Sequence, residues 1–258
     1  MRLGSVAISK LGHGLLCMLI LCISIVAYSQ SADAVYSNAN ALYKASNYPG
    51  AHAAYEKLIA DGYKEADLYY NLGNCYYRQN DMAKAILNYE RALRISPNDE
   101  DISHNLNIAN AHIADKIVPV PQLGIIKAWQ GFTHSHSAKG WLLWAVAMAW
   151  LALIGGAVYL FTVWKKAGIA IATTLVLIAL AFTSLAYARG SAEANSGEAI
   201  LTAESIYVKN APDANSGNAF MLHAGIKFSL LDKVGSYYKV RLADGKTGWL
   251  SSNSFEQI

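Results

Sequence analysis

Six histidines follow residue 30: His52, His104, His112, His134, His136 and His223. With the cysteines Cys17, Cys22 and Cys75 they are the side chains best suited to proton transfer, nucleophilic attack or metal binding. Their spacing assembles none of these. Zinc takes three or four ligands, and His134-Ser135-His136 has no cysteine or acidic residue beside it. His104 and His112 share a helix face only loosely. Catalysis needs a nucleophile with a base, a carboxylate pair or a metal, and no histidine lies in a recognised catalytic motif. Cys75, beside Tyr76 on a predicted helix, reads as a small packed residue. If the N-terminal stretch carrying Cys17 and Cys22 is removed, Cys75 has no disulfide mate. The chain is therefore expected to be non-enzymatic, with no catalytic residues, no cofactor and no metal.

A different set of polar residues recurs at a spacing suited to binding. Asp33, Asp67 and Asp101 fall in one column at a period of 34 residues. Tyr36 and Tyr70, Asn40 and Asn74, Tyr43 and Tyr77, and Tyr55 and Tyr89 repeat in the same register. Residues 66–99 carry Tyr69, Leu72, Gly73, Tyr76, Ala85, Tyr89, Ala92 and Pro97 at diagnostic places. This pattern resembles the tetratricopeptide repeat (TPR), a helix–turn–helix unit. Gly73 and Ala85 are small where two helices must approach closely, and Pro97 ends the second helix. A first repeat at about 32–65 is weaker, with Ala39 where glycine is usual. Residues 99–115 read as a capping helix whose Leu106, Ile108 and Ile113 cover the last hairpin. So few repeats bury little core, so the module is expected to lean on a partner, a second copy or the membrane surface.

By resemblance to the TPR family, the first helix of each repeat presents a peptide-binding groove. The matching positions are Asp33, Tyr36, Asn40 and Tyr43, then Asp67, Tyr70, Asn74 and Tyr77, then Asp101 and His104. Asn40 and Asn74 stand where such modules bond a peptide amide, and an amide side chain can both donate and accept. Tyr36 and His104 occupy places where carboxylate-clamping members carry Lys or Arg. The expected ligand is an extended backbone with apolar or basic side chains.

Those modules must be positioned in a chain of unusual composition. Of its 258 residues 54% are hydrophobic and only 15% charged, against about a quarter charged in soluble domains. The deficit lies in residues 11–28 and 141–188. Residues 1–29 have the parts of a secretory signal: Arg2 and Lys10, an apolar run from Leu11 to Val26, then Ala27-Tyr28-Ser29. Cleavage is expected after Ser29; uncleaved, the segment would be a further membrane helix. A lipoprotein signal fits poorly, because Leu16 and Leu21 precede the cysteines. Residues 141–164 and 167–188 contain no charge and are each long enough to span about 30 Å of hydrocarbon. Lys165 and Lys166 form the polar turn between them. Trp141, Trp144, Trp164 and Tyr187 stand near the ends as interfacial aromatics do, and Gly155, Gly156 and Ala157 allow close helix contact. The linker 118–140 contains Pro119 and Pro121, then Ile125, Ile126, Trp129 and Phe132, which can lie on a lipid surface.

Residues 30–126 carry net charge −3 and residues 190–258 net −1. The chain's +3 therefore comes from Lys and Arg flanking the apolar runs. Neither soluble domain has the basic cluster that a nucleic acid needs, so nucleic acid is excluded as a partner.

After a small polar linker at 190–198 the hydrophobic period becomes two. Strands are predicted at Ser205–Lys209, Lys227–Asp232, Tyr237–Leu242 and Thr247–Ser251, punctuated by Gly225, Gly235, Gly245 and Gly248. A domain over 199–258 of this kind is a small barrel. Val208-Lys209-Asn210-Ala211-Pro212, Leu222-His223-Ala224-Gly225, Tyr237-Tyr238-Lys239-Val240-Arg241 and Asp244-Gly245-Lys246-Thr247-Gly248-Trp249-Leu250 resemble bacterial SH3 domains. The resemblance implies a peptide- or cell-wall-binding module, with Tyr237, Lys239 and Trp249 as the candidate surface and Gly248 letting the backbone pass close to Trp249.

The predicted fold class is thus multidomain: all-α TPR hairpins over 30–117, a two-helix transmembrane hairpin, and an all-β SH3-like barrel. The order of signal, TPR, two spans and SH3-like module resembles the BatE-like family of bacterial aerotolerance operons. That resemblance implies an adaptor in the inner membrane, multi-pass, with both soluble domains in the periplasm. It implies other Bat-type envelope proteins as partners, von Willebrand A-domain membrane proteins among them. The alternative is a tether whose SH3-like domain binds peptidoglycan.

Overall fold

A computed structural model describes residues 32–121, 123–161, 165–194 and 197–258. The signal expected over 1–29 lies outside the described residues. The chain divides between Lys64 and Glu65 into two compact units.

The first unit is a helical hairpin, α1 (32–44) and α2 (Tyr48–Ala60). Asn47 caps α2 by accepting from the Gly50 N–H at 3.1 Å, and Pro49 at the helix start lacks the N–H that would go unused there. Ala39, Ala51, Tyr55 and Leu58 are buried. Ala39 therefore does the work of the usual glycine: a methyl group still fits.

The second unit opens with the hairpin of α3 (Ala66–Arg78) and α4 (Met82–Ile95), then α5 (Glu100–His112). Asp81 and Asp99 cap α4 and α5 through the N–H groups of Lys84 and Ile102, each at 3.1 Å. Leu68, Leu72, Cys75 and Tyr76 of α3 pack with Ala85, Ile86, Tyr89 and Ala92 of α4. A Cβ on Gly73 would stand 2.6 Å from the Tyr89 ring, so this crossing requires glycine. α5 covers the hairpin with Ile102, Leu106 and Ala109. Ile113, expected among the covering residues, instead lies past the helix end and packs on the barrel core with Ile117.

Helix α6 (Gly124–His134) precedes the hairpin of α7 (Ala138–Phe161) and α8 (Lys165–Ala194). Both hairpin helices are long and apolar enough to cross a membrane. Lys165 and Lys166 form the first turn of α8 rather than a free loop, and α8 runs on through residues 190–194, read from sequence as linker. Close contact falls at Gly155 against Ala172 and at Gly168 against Tyr159, whereas Gly156 faces open space.

The C-terminal domain has seven strands: β1 (Glu198–Leu201), β2 (Ser205–Lys209), β3 (Asn218–His223), β4 (Lys227–Val234), β5 (Tyr237–Leu242), β6 (Thr247–Ser251) and β7 (Phe255–Gln257). Their order is β3-β2-β6-β5-β4-β1-β7, with every pairing antiparallel. Leu201, Val208, Leu222, Phe228, Val240, Leu242, Leu250 and Phe255 form its core. This is an SH3-like fold. The chain is therefore multidomain, with TPR-like helices, two long apolar helices and an all-β barrel.

Candidate functional site

In the first unit, Asp33 is exposed near the start of α1, while Tyr36, Asn40 and Tyr43 are half-buried. The Tyr55 hydroxyl donates to Asn40 Oδ1 at 2.5 Å. The Tyr36 ring meets Tyr55 edge-on at 5.8 Å, and Tyr43 meets Tyr48 at 5.3 Å.

The second repeat reproduces this arrangement thirty-four residues on. The Tyr89 hydroxyl donates to Asn74 Oδ1 at 2.7 Å, and Tyr70 lies 6.0 Å from the Tyr89 ring. Asn105 of α5 adds a contact that the sequence reading missed: its Nδ2 donates to Asn74 Oδ1 and to the Tyr70 hydroxyl, both at 3.0 Å. The signal was present in Asn71, one period before Asn105. Tyr77 packs edge-on against His112 at 6.0 Å. Asp67, Asp101 and His104 are exposed.

These bonds change what the two asparagines offer. Asn74 Oδ1 accepts from both Tyr89 and Asn105, which uses its two lone pairs and leaves its NH2 donor for a ligand, whereas Asn40 Oδ1 accepts from Tyr55 and keeps one lone pair beside its NH2. The exposed carboxylates, Asp33 in the first unit and Asp67 and Asp101 in the second, add negative charge to each unit's own repeat helices.

On the barrel, strand register gathers the second candidate set. Lys239 pairs with Trp249 across β5 and β6, and Lys209 of β2 pairs with Trp249 from its other side. Tyr237 is two residues from Lys239 and shares its face. All three candidates are half-buried, while Val240, Gly248 and Leu250 are buried. Gly248 also meets a constraint from a distant strand. A Cβ there would collide with Val208 Cγ1, so the glycine lets β6 approach β2.

The two modules of this unit touch. Lys227 Nζ lies 2.9 Å from Glu90 Oε2 of α4 and 3.1 Å from Glu198 Oε2 of β1. Burial would lower the Lys227 pKa, but the two carboxylates outweigh it and hold the ammonium above its ordinary range. Arg91 Nη2 donates to the Gln257 carbonyl at 2.8 Å and pairs with Glu256 at 3.5 Å. Arg94 donates to the main-chain oxygen of Ile258. Asp115 takes the His223 main-chain N–H at 2.8 Å and lies 3.0 Å from its Nδ1. Gly225, at φ +93°, admits the contact: a Cβ would come 2.5 Å from Ile113 and 3.2 Å from Ile86. None of this interface was anticipated from sequence.

Burial pushes the Cys75 thiol up to about 12, which keeps it protonated and unreactive at neutral pH. The His136 ring lies tilted against Trp141 with ring centres 4.9 Å apart, and its Nδ1 lies 2.9 Å from the Ser135 hydroxyl. Among the described residues no three His, Cys, Asp or Glu side chains converge as a metal site.

Comparison with protein families agrees with this geometry. The tetratricopeptide repeat model matches residues 36–100, and the bacterial SH3 domain model matches residues 204–256. No curated protein matches the chain. Both matched domains are of kinds that typically bind rather than catalyse, and they stand in one chain with two helices long and apolar enough to span a membrane.

Proposed function

We propose that the chain is a non-enzymatic adaptor of the bacterial inner membrane, anchored by α7 and α8, with both soluble modules in the periplasm. The first-helix positions of the repeats, Asp33, Tyr36, Asn40 and Tyr43 in the first unit and Asp67, Tyr70, Asn74, Tyr77, Asp101 and His104 in the second, bind an extended, basic or apolar segment of another envelope protein. The arrangement suits a Bat-type aerotolerance assembly, with von Willebrand A-domain membrane proteins as clients. The observation carrying this reading is the direct contact of Glu90, Arg91 and Asp115 with Lys227, Glu256 and His223. Modules that touch share one side of a bilayer, and two spans between them return the chain to that side.

The test is co-purification from native membranes in mild detergent. Wild type is compared with a variant carrying Asp33→Lys, Asp67→Lys and Asp101→Lys, three exposed changes that leave the Tyr–Asn bonds intact. Loss of defined envelope proteins from the variant supports the groove; identical partners from both would refute it.

A second reading gives the barrel a cell-wall ligand. It rests on Trp249 standing between Lys209 and Lys239, an aromatic flanked by cations that suits anionic glycopeptide. Retention of the full chain on purified peptidoglycan, lost in Lys239→Glu, would support it.

A further inference from the structure

We infer that α6 is a lipid-docking helix that lies on the membrane surface and binds anionic phospholipid headgroups through Lys127 and Lys139. The inference rests on the membrane anchoring proposed above and adds the chemistry of the surface met by the anchor's head.

Helix α6 has no buried residue. Ile125 is 80% exposed, Trp129 61% and Phe132 49%. These three stand at i, i+4 and i+7, so they form one stripe, while Lys127, Gln130 and His134 form another. An eleven-residue helix is marginal in water without something covering its apolar stripe. The neighbouring structure indicates the cover. The stripe runs on through Phe132 against Trp141 at 5.4 Å and Trp141 against Phe182 at 5.5 Å, and so onto α7 and α8. The Trp141 indole N–H donates to the Thr133 carbonyl at 3.2 Å, tying the end of α6 to the start of α7. Asn98, in the α4–α5 turn, donates to the Ser135 carbonyl and holds the same corner. The apolar stripe therefore meets the head of the hairpin, where bilayer hydrocarbon would give way to headgroups.

Charge then selects the lipid. From Asp115 to Glu193 the sequence contains no acidic residue, only Lys116, Lys127, Lys139, Lys165, Lys166 and Arg189. Lys116 is committed to the end of α5, donating to the carbonyls of Asn110 and Ala111. Lys127 and Lys139 are exposed, one on α6 and one in the first turn of α7. An apolar stripe with an uncompensated ammonium group on the opposite, polar face of α6 and another in the first turn of α7 matches an anionic lipid surface. A protein partner for α6 would need acidic groups opposite the same lysines.

The experiment is hydrogen exchange on the full chain in nanodiscs of phosphatidylcholine alone and of phosphatidylcholine with phosphatidylglycerol. Amides of 124–134 should exchange on the order of tenfold more slowly with the anionic lipid. That slowing should vanish in Lys127→Glu/Lys139→Glu. Equal exchange in both lipids, or slowing that survives the double substitution, overturns the inference. Fast exchange in every nanodisc, reversed only on adding another envelope protein, also overturns it and gives α6 a protein partner. Protection of α7 and α8 is read in the same data. If they are protected and 124–134 is not, lipid docking alone fails; if they exchange freely, the anchoring fails as well.

Discussion

The ammonium of Lys227 on β4 lies 2.9 Å from the carboxylate of Glu90 on α4, across 137 residues of sequence. Two modules on either side of an apolar hairpin are held together by this pair and its neighbours. Support for the short repeat array, expected from a partner, a second copy or the membrane, comes in the second unit from the chain's own barrel. Breaking the contact tests how much support it gives. Glu90→Ala should destabilise the second unit by about 1–2 kcal/mol, because the pair is half-exposed and Glu198 still serves Lys227. Chemical denaturation would measure this, and a double-mutant cycle with Lys227→Met would isolate the pair.

The same pair sets a pH dependence. Lys227 is raised above its ordinary value of 10.5, so its folded form holds a proton more tightly than its unfolded form. The stabilisation is fully present below 10.5 and is lost as pH rises through the folded value. Stability of Lys227→Met should therefore fall less steeply than wild type over this alkaline range.

Gly225 separates backbone strain from contact. Gly225→Ala places a methyl group at positive φ and 2.5 Å from Ile113. Gly235→Ala places one at positive φ in open space. Both should lose about 1–2 kcal/mol from strain. Only Gly225→Ala should also speed proteolysis of residues 113–121, as the barrel leaves α4.

Within the second repeat, Tyr89→Phe removes the donor to Asn74 and should cost about 1 kcal/mol. Gly73→Ala forces the buried Tyr89 ring aside and should cost about 1–3 kcal/mol. Thermal denaturation ranks the two. Equal losses would mean that the ring moves freely and the crossing is looser than the Cβ distance implies.

Cys75, with its pKa pushed up to about 12, should resist a thiol reagent at pH 8 in the folded protein and react once denatured. Rapid labelling of the native chain would show that the α3–α4 core opens readily.

Much of this architecture was legible in the residues. The 34-residue period put Asn40 with Asn74 and Tyr55 with Tyr89, and the bond between Tyr55 and Asn40 recurs between Tyr89 and Asn74, because equivalent positions in a repeat inherit equivalent neighbours. Alternation located four of the seven strands. It missed β1, β3 and β7, which are short or lie beside polar turns. The constraint that Val208, forty residues earlier, places on Gly248 was not legible, because it arises only where β2 and β6 meet.

By itself the sequence determined what depends on local pattern: helical hairpins from period and caps, apolar helices from length and absent charge, a barrel from alternation and glycine turns. Tertiary structure alone decided that Asn74 is shared by Tyr89 and Asn105, that Trp249 lies between two lysines, and that the barrel seats on α4. Those depend on which distant side chains come within about 3 Å. Charged residues such as Glu90, Asp115 and Lys227 look alike in sequence whether they face water or each other. Only the packing of the chain tells them apart.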